Sequence, residues 1–198
     1  MRQEVLPRYG NTHTTSSETG AQTTAFREEA RCIIADAVNA KVKVTGTADD
    51  DVVIFTGSGS TGAVMKLVSA LSLDKTIRPT KLFKGSKPVV LVGPFEHHSN
   101  LLPWRESCAD VVQIAEDSTG GLDLADLERN LKKFSGRRLK IGTFAAASNV
   151  TGALEDTEKI TRILHRGGAL SFWDYATAGP YVDVNMNPDG ASASDKVE

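Results

Sequence analysis

Four short stretches of this chain carry side chains whose type and position could do chemistry. The first is Gly57-Ser58-Gly59-Ser60-Thr61-Gly62, a G-x-G-x-x-G loop between the apolar run Asp51–Phe55 and a segment of helical period. Backbone N–H groups at a helix N-terminus, helped by the helix dipole and the Ser58, Ser60 and Thr61 hydroxyls, make an anion cradle. The second is His97-His98, which follows the apolar run Pro88–Gly93 and precedes Trp104. A histidine there can lie flat on a planar ring. Zinc is a poorer use of the pair, because adjacent histidines cannot easily both ligate one ion and the only nearby thiol is Cys108. The third is Asn149 in Ser148-Asn149-Val150-Thr151-Gly152, an amide that could bond a ring hydroxyl or simply make a turn. The fourth is Asp174, which closes ALSFWD. A carboxylate at the end of a buried apolar strand is costly unless it meets a cation. The N–H of a pyridinium ring is such a cation.

The loop leaves its anion open. A dinucleotide would want an acidic residue ending the next strand, about 20 residues on, to take the ribose hydroxyls. Asp74 lies near that distance but follows a helix, and Glu96 is too far along. A nucleoside-triphosphate loop would need Gly-Lys-Ser/Thr at the helix start, and none is present. A monophosphate fits, and so does a tight turn with no ligand.

The elements that must position these residues alternate between β-rich runs and helical periods. Strands are expected at Asp51–Phe55, Pro88–Gly93, Val111–Ala115, Leu139–Phe144 and Ala169–Trp173. Helices are expected at Ser17–Asn39, with Phe26, Ala30, Ile33, Ile34 and Ala37 on one apolar face, and through Val64, Leu67, Val68 and Leu71. Two more are expected at Leu124–Phe134, capped by Asp123, and at Asp156–Arg166, stopped by Gly167-Gly168. Strand, crossover helix, strand is the grammar of a mainly parallel α/β sheet with helices on both faces, a three-layer fold. Every chemistry-bearing stretch then falls at the C-terminal edge, where open α/β sheets bind ligands.

Composition sets the outer limits. The chain has 198 residues, a formal net charge of -2 and 40% hydrophobic residues, enough for one domain with a core and no bulk reason to bind nucleic acid. No apolar run approaches the roughly 18 residues of a membrane span, and the N-terminus lacks the pattern of a leader. Two cysteines make no disulfide framework, which favours a cytoplasmic setting. Cys32, on the apolar side of the first helix, is expected in the core; Cys108 is expected to be inert. The tail from Asn185 is small and polar and reads as a surface loop.

Taken together, YGNTHTTSSETG, FTGSGSTG, EHHSNLLPW, SNVTGALEDT and SFWDYATAGPYVDVNMNP resemble the class V aminotransferases of the pyridoxal 5'-phosphate (PLP) fold-type I superfamily, within the cysteine desulfurase and selenocysteine lyase branch. The resemblance covers nearly the whole chain, and EHHSNLLPW with the S-N-x-x-G turn carries most of its specificity. It implies a large cofactor-binding domain with PLP as cofactor, an amino-acid substrate processed through an aldimine, and a homodimer. It implies that Gly59, Ser60 and Thr61 hold the phosphate and that His97 stacks on the ring and could assist proton transfer. Asn149 would contact the ring hydroxyl side and Asp174 the pyridine nitrogen. Thr177 stands where the family usually has glutamine, and its shorter side chain puts that bond to the ring oxygen in doubt.

The resemblance also implies a lysine in a Ser-x-His-Lys motif, for which Lys196 is a poor match because it lacks Ser-x-His before it. Residues 1–198 are therefore expected to be a partial large domain, inactive by itself, without the small C-terminal domain. In such a fold the strands after Asp174 would lie between the first strand and the rest, so their loss would leave apolar edges exposed. Two alternatives stand beside this reading: a Rossmann-type dinucleotide-binding oxidoreductase domain, and a non-catalytic binding subunit that keeps the fold.

Overall fold

In the computed structural model, residues 2–42, 51–74 and 86–188 are described, and the chain divides into two compact units, Met1–Phe55 and Thr56–Glu198. The second unit is built on strands β1 (Val89–Val92), β2 (Asp110–Gln113), β3 (Lys140–Ala145) and β4 (Leu170–Asp174). They lie in the order β2-β1-β3-β4 and every pairing is parallel. This is the expected α/β sheet.

Side chains alternate across a strand, and β1 shows what that does here. Val89 and Leu91 enter a core with Leu127, Leu131, Ile160, Ile163 and Leu164. These come from helices α4 (Leu124–Lys133) and α5 (Thr157–Arg166). Val90 and Val92 enter a second core with Val68, Leu73, Trp104 and Ile141. That face is covered by α2 (Gly59–Ala70) and α3 (His98–Arg105). All four β1 side chains are buried, each contributing about 1.5–3 kcal/mol. Asp123 caps α4 by accepting the Asp126 N–H, and Asp156 caps α5 by accepting that of Lys159.

In the first unit a single 3-10 turn at Leu6–Arg8 precedes α1 (Glu18–Ala37). Ser17 caps α1 by accepting the Gly20 N–H. Gly10 packs against its first turn so closely that a Cβ there would lie 2.5 Å from the Gly20 nitrogen.

Three expectations need correction, and one element is added to them. Residues 51–56 form no strand, and Val52, Ile54 and Phe55 are exposed; no neighbouring strand among the described residues supplies the ladder that would hold one. The apolar face of α1 is not buried, since Phe26, Ile33 and Ile34 are exposed and no second layer among the described residues covers them. Cys32 shares that face and is exposed rather than core. The stretch after His97 is a helix, α3, despite Pro103 inside it. His97 caps it, and the fully buried Trp104 anchors it to the sheet. Lys196 and most of the polar tail lie outside the described residues.

Candidate functional site

Because all four strands run the same way, the loops leaving β1, β3 and β4 meet at one edge, together with the N-terminus of α2. A cavity of about 380 Å³ opens there. Gly59, Ser60, Thr61, His97, Asn149, Asp174 and Thr177 all line it, with Ser58, Phe95, Ser99, Ala145, Ala147 and Ala176. The seven residues picked out from the sequence thus share one space. A larger groove of about 480 Å³ beside α2 and α3, lined in part by Met65, Leu102 and Pro103, takes in only Thr61 of the seven.

Along the cavity wall the chain turns into α2 through two successive left-handed residues, Ser58 (φ 64°) and Gly59 (φ 61°). Left-handed backbone suits glycine because it has no Cβ to clash. Gly62 is needed for a different reason: a Cβ there would sit 2.0 Å from the Gly57 carbonyl oxygen. Helices α1, α3, α4 and α5 each have a side chain capping the first turn, whereas α2 has none. Its leading amides are left facing the cavity without an internal acceptor from the cap residue, which is the arrangement that receives an anion.

His97 sits at the start of α3, where its Nδ1 accepts the Ser99 N–H at 3.2 Å. An accepting Nδ1 places the proton of the neutral ring on Nε2. The Thr61 hydroxyl donates to Ser99 Oγ at 2.9 Å, and Ser99 Oγ lies 3.0 Å from His97 Nδ1. The anion loop and the imidazole are therefore joined through Ser99.

Asp174 ends β4 opposite Ala145. Its Oδ1 accepts the Ala176 N–H at 2.9 Å, and its other carboxylate oxygen accepts no hydrogen bond among the described residues. The Asn149 side chain is exposed on a turn held by Ser148, whose Oγ accepts the Val150 and Thr151 N–H groups at 3.3 Å. Thr177 is half-buried in the turn after Asp174. No lysine or arginine borders this cavity among the described residues.

Beneath the cavity lies a carboxyl group that the sequence reading weighed only as a ribose ligand. Glu96 Oε1 accepts the Gly93 N–H at 3.3 Å and the Ala145 N–H at 2.9 Å, and Oε2 accepts from Asn100 Nδ2 at 2.6 Å. Burial pushes its pKa from 4.5 up to about 7. The three hydrogen bonds pull the other way, and the nearby Asp174 charge adds to the rise. Ser99 was missed. The signals for both residues, Glu96 four positions before Asn100 and Ser99 in a first helical turn, become visible only once the bounds of α3 are known.

Sheet and cavity together define a parallel α/β protein with an uncapped helix N-terminus and a strand-end carboxylate on the wall of one cavity. Comparison with known proteins places the chain more narrowly. It matches the family model Aminotransferase class-V over residues 1–192 and belongs to that family. The chain is 29% identical over 188 residues to a probable cysteine desulfurase of Pyrococcus abyssi, covering 92% of this chain and 41% of that protein. It is 29% identical over 185 residues to probable cysteine desulfurase 1 of Mycobacterium leprae, covering 91% and 27%. Among solved structures, the apo cysteine desulfurase of Thermococcus onnurineus NA1 superposes with a TM-score of 0.70 at 25% identity, covering 91% of this chain and 40% of that one. The NifS-like protein of Rickettsia africae shares the fold, with a TM-score of 0.65 at 19% identity over 89% of this chain and 43% of that one. The chain thus spans about two fifths or less of the length of these relatives. Among the described residues no helix is long and apolar enough to cross a membrane.

Proposed function

We propose that the strand-end cavity holds PLP, and that this chain supplies most of the cofactor-binding surface of a cysteine desulfurase-like enzyme acting on an amino acid. The observation that carries the reading is one cavity lined both by the uncapped start of α2 and by Asp174. The donor set fits the cofactor. The amides around Gly59 and Ser60 with the Thr61 hydroxyl suit a phosphate, the carboxylate of Asp174 suits a protonated ring nitrogen, and about 380 Å³ falls within the range of small-ligand sites. When bound, PLP supplies an electron sink that stabilises negative charge at a carbon of an amino acid.

The chain's own residues orient and tune. With PLP bound, Asp174 would hold the ring nitrogen protonated and His97 would cover the ring. Asn149 and Thr177 would serve the ring oxygen, and the shorter Thr177 would reach it less well than a glutamine. No described lysine reaches the cavity, so binding without turnover is expected from the chain by itself. Homodimerisation, implied by the family resemblance, belongs to the same proposal. The dinucleotide alternative has lost its support, because Asp74 borders the separate groove and not this cavity.

The test is an absorbance titration of the full chain with PLP. Saturable binding is expected. Asp174→Ala and Thr61→Ala should each weaken it by about tenfold or more, the worth of a hydrogen bond to a charged group. Variants that bind as tightly as the unaltered chain would contradict the proposal.

A further inference from the structure

We propose that Glu96 is a positioning residue for the strand-end cavity: by bracing the ends of β1 and β3 against α3, it fixes the spacing between the His97 ring and the Asp174 carboxylate. This deepens the PLP reading, on which it rests only for the identity of the occupant.

The bracing follows from where the three partners of Glu96 sit. Gly93 is the residue after β1, Ala145 is the last residue of β3, and Asn100 lies in the first turn of α3. Ala145 is also the register partner of Asp174 on β4, and His97 is the next residue along the chain. One carboxyl group therefore connects the backbone that carries the imidazole to the end of β3, the strand paired with the one that carries the aspartate. Asn100 cannot turn its amide over without loss. Its Oδ1 accepts from Thr143 Oγ1 at 2.8 Å and from Trp104 Nε1 at 3.3 Å, so Nδ2 must face Glu96. Asn100, Thr143 and Trp104 are all buried, which makes each of these bonds costly to break. Gly93 makes room for the arrangement, since a Cβ there would lie 2.6 Å from Glu96 Oε1. A sequence that needed only a turn at this point would not need that space.

The charges around Glu96 make the brace sensitive to pH. Asp174 faces it from the end of β4. Glu155 borders the same small cavity below it, and His97 is its neighbour along the chain. No described lysine or arginine lines either cavity. The carboxyl group thus changes charge next to a second carboxylate, with its three donors fixed, and the change must be felt at both ends of the brace.

The experiment is a pH series of amide spectra from pH 5.5 to 8.5 on the full chain, without ligand, for the natural sequence and for Glu96→Gln. The Gly93 and Ala145 amides should move together with a midpoint near 7. Those of His97, Asn149 and Asp174 to Thr177 should follow the same midpoint. In Glu96→Gln that shared transition should vanish, and the difference between the two series removes any contribution from His97 itself. PLP affinity should fall by about tenfold in the variant, with its dependence on pH through this range flattened. Cavity amides that ignore the Gly93 and Ala145 midpoint overturn the proposal. So does a variant whose cavity amides, PLP affinity and pH profile are all unchanged. Should Glu96→Gln fail to fold, the series on the natural sequence decides by itself. Should the natural chain bind no PLP, the functional reading falls while the amide series still judges Glu96.

Discussion

Asp51–Phe55 and Val89–Val92 are close to each other in composition, DVVIF against VVLV, and end up in opposite states. The second is β1, paired on both sides and buried on both faces. The first forms no strand, with Val52 73% and Ile54 62% exposed. Both carry the β-branched residues that strands favour, so intrinsic preference does not separate them. What separates them is company: β1 has β2 and β3 as neighbours and helices above and below. A strand preference is largely a measure of how well side chains fit a pleated, half-buried surface, and residues 51–55 have no such surface among the described residues.

The largest test of that contrast is a pair of truncations. Leu91→Ala opens a hole in a full core and should cost about 2–5 kcal/mol. Ile54→Ala should stay within about 0.5 kcal/mol. Urea unfolding measures both, and equal costs would break the comparison.

The two segments also lead into different chemistry. Just past β1 stands Glu96, whose raised pKa means that the folded chain keeps a proton the unfolded chain has released between about pH 4.5 and 7. Stability should therefore fall as pH rises through that window, by at most about 1.4 kcal/mol per pH unit from this group. Burial raises the Glu155 pKa as well, in the same direction. Asp117 is held below its usual range by hydrogen bonds from Thr119 and Gly121, so its effect is confined to more acid pH. Glu96→Gln should remove part of the slope, read from urea midpoints between pH 4.5 and 8. A slope unchanged by the substitution would locate the proton elsewhere.

The smallest effect concerns the helices that each segment leads into. His97 caps α3, so His97→Ala should cost about 1 kcal/mol; Ser58 caps nothing, so Ser58→Ala should change stability by a few tenths. Thermal unfolding of the two variants would sharpen the contrast, and a cap-sized loss at Ser58 would remove the argument that the α2 amides are kept open.

The same contrast explains what could be read from the sequence. The parallel sheet was legible because β1, β3 and β4 are apolar runs that end at turns, and because Asp123 and Asp156 mark two helix starts without ambiguity. His97, Asn149 and Asp174 were legible as neighbours because each follows a strand of one parallel sheet, and the glycine loop because it opens α2. Residues 51–55 and the exposed face of α1 were misread because periodicity reports which side chains could be buried, not what covers them. The role of Glu96 was not legible because one of its partners, the Ala145 amide, lies on another strand 49 positions away.

PLP binding in the strand-end cavity, with the phosphate at the start of α2 and the protonated ring nitrogen at Asp174, is open to test by a crystal structure of the full chain with PLP. The expected structure has the phosphate on the Gly59–Thr61 amides, the ring beside His97 and its nitrogen on the Asp174 carboxylate. PLP bound in the groove beside Met65 and Leu102, or turned end for end, would contradict it.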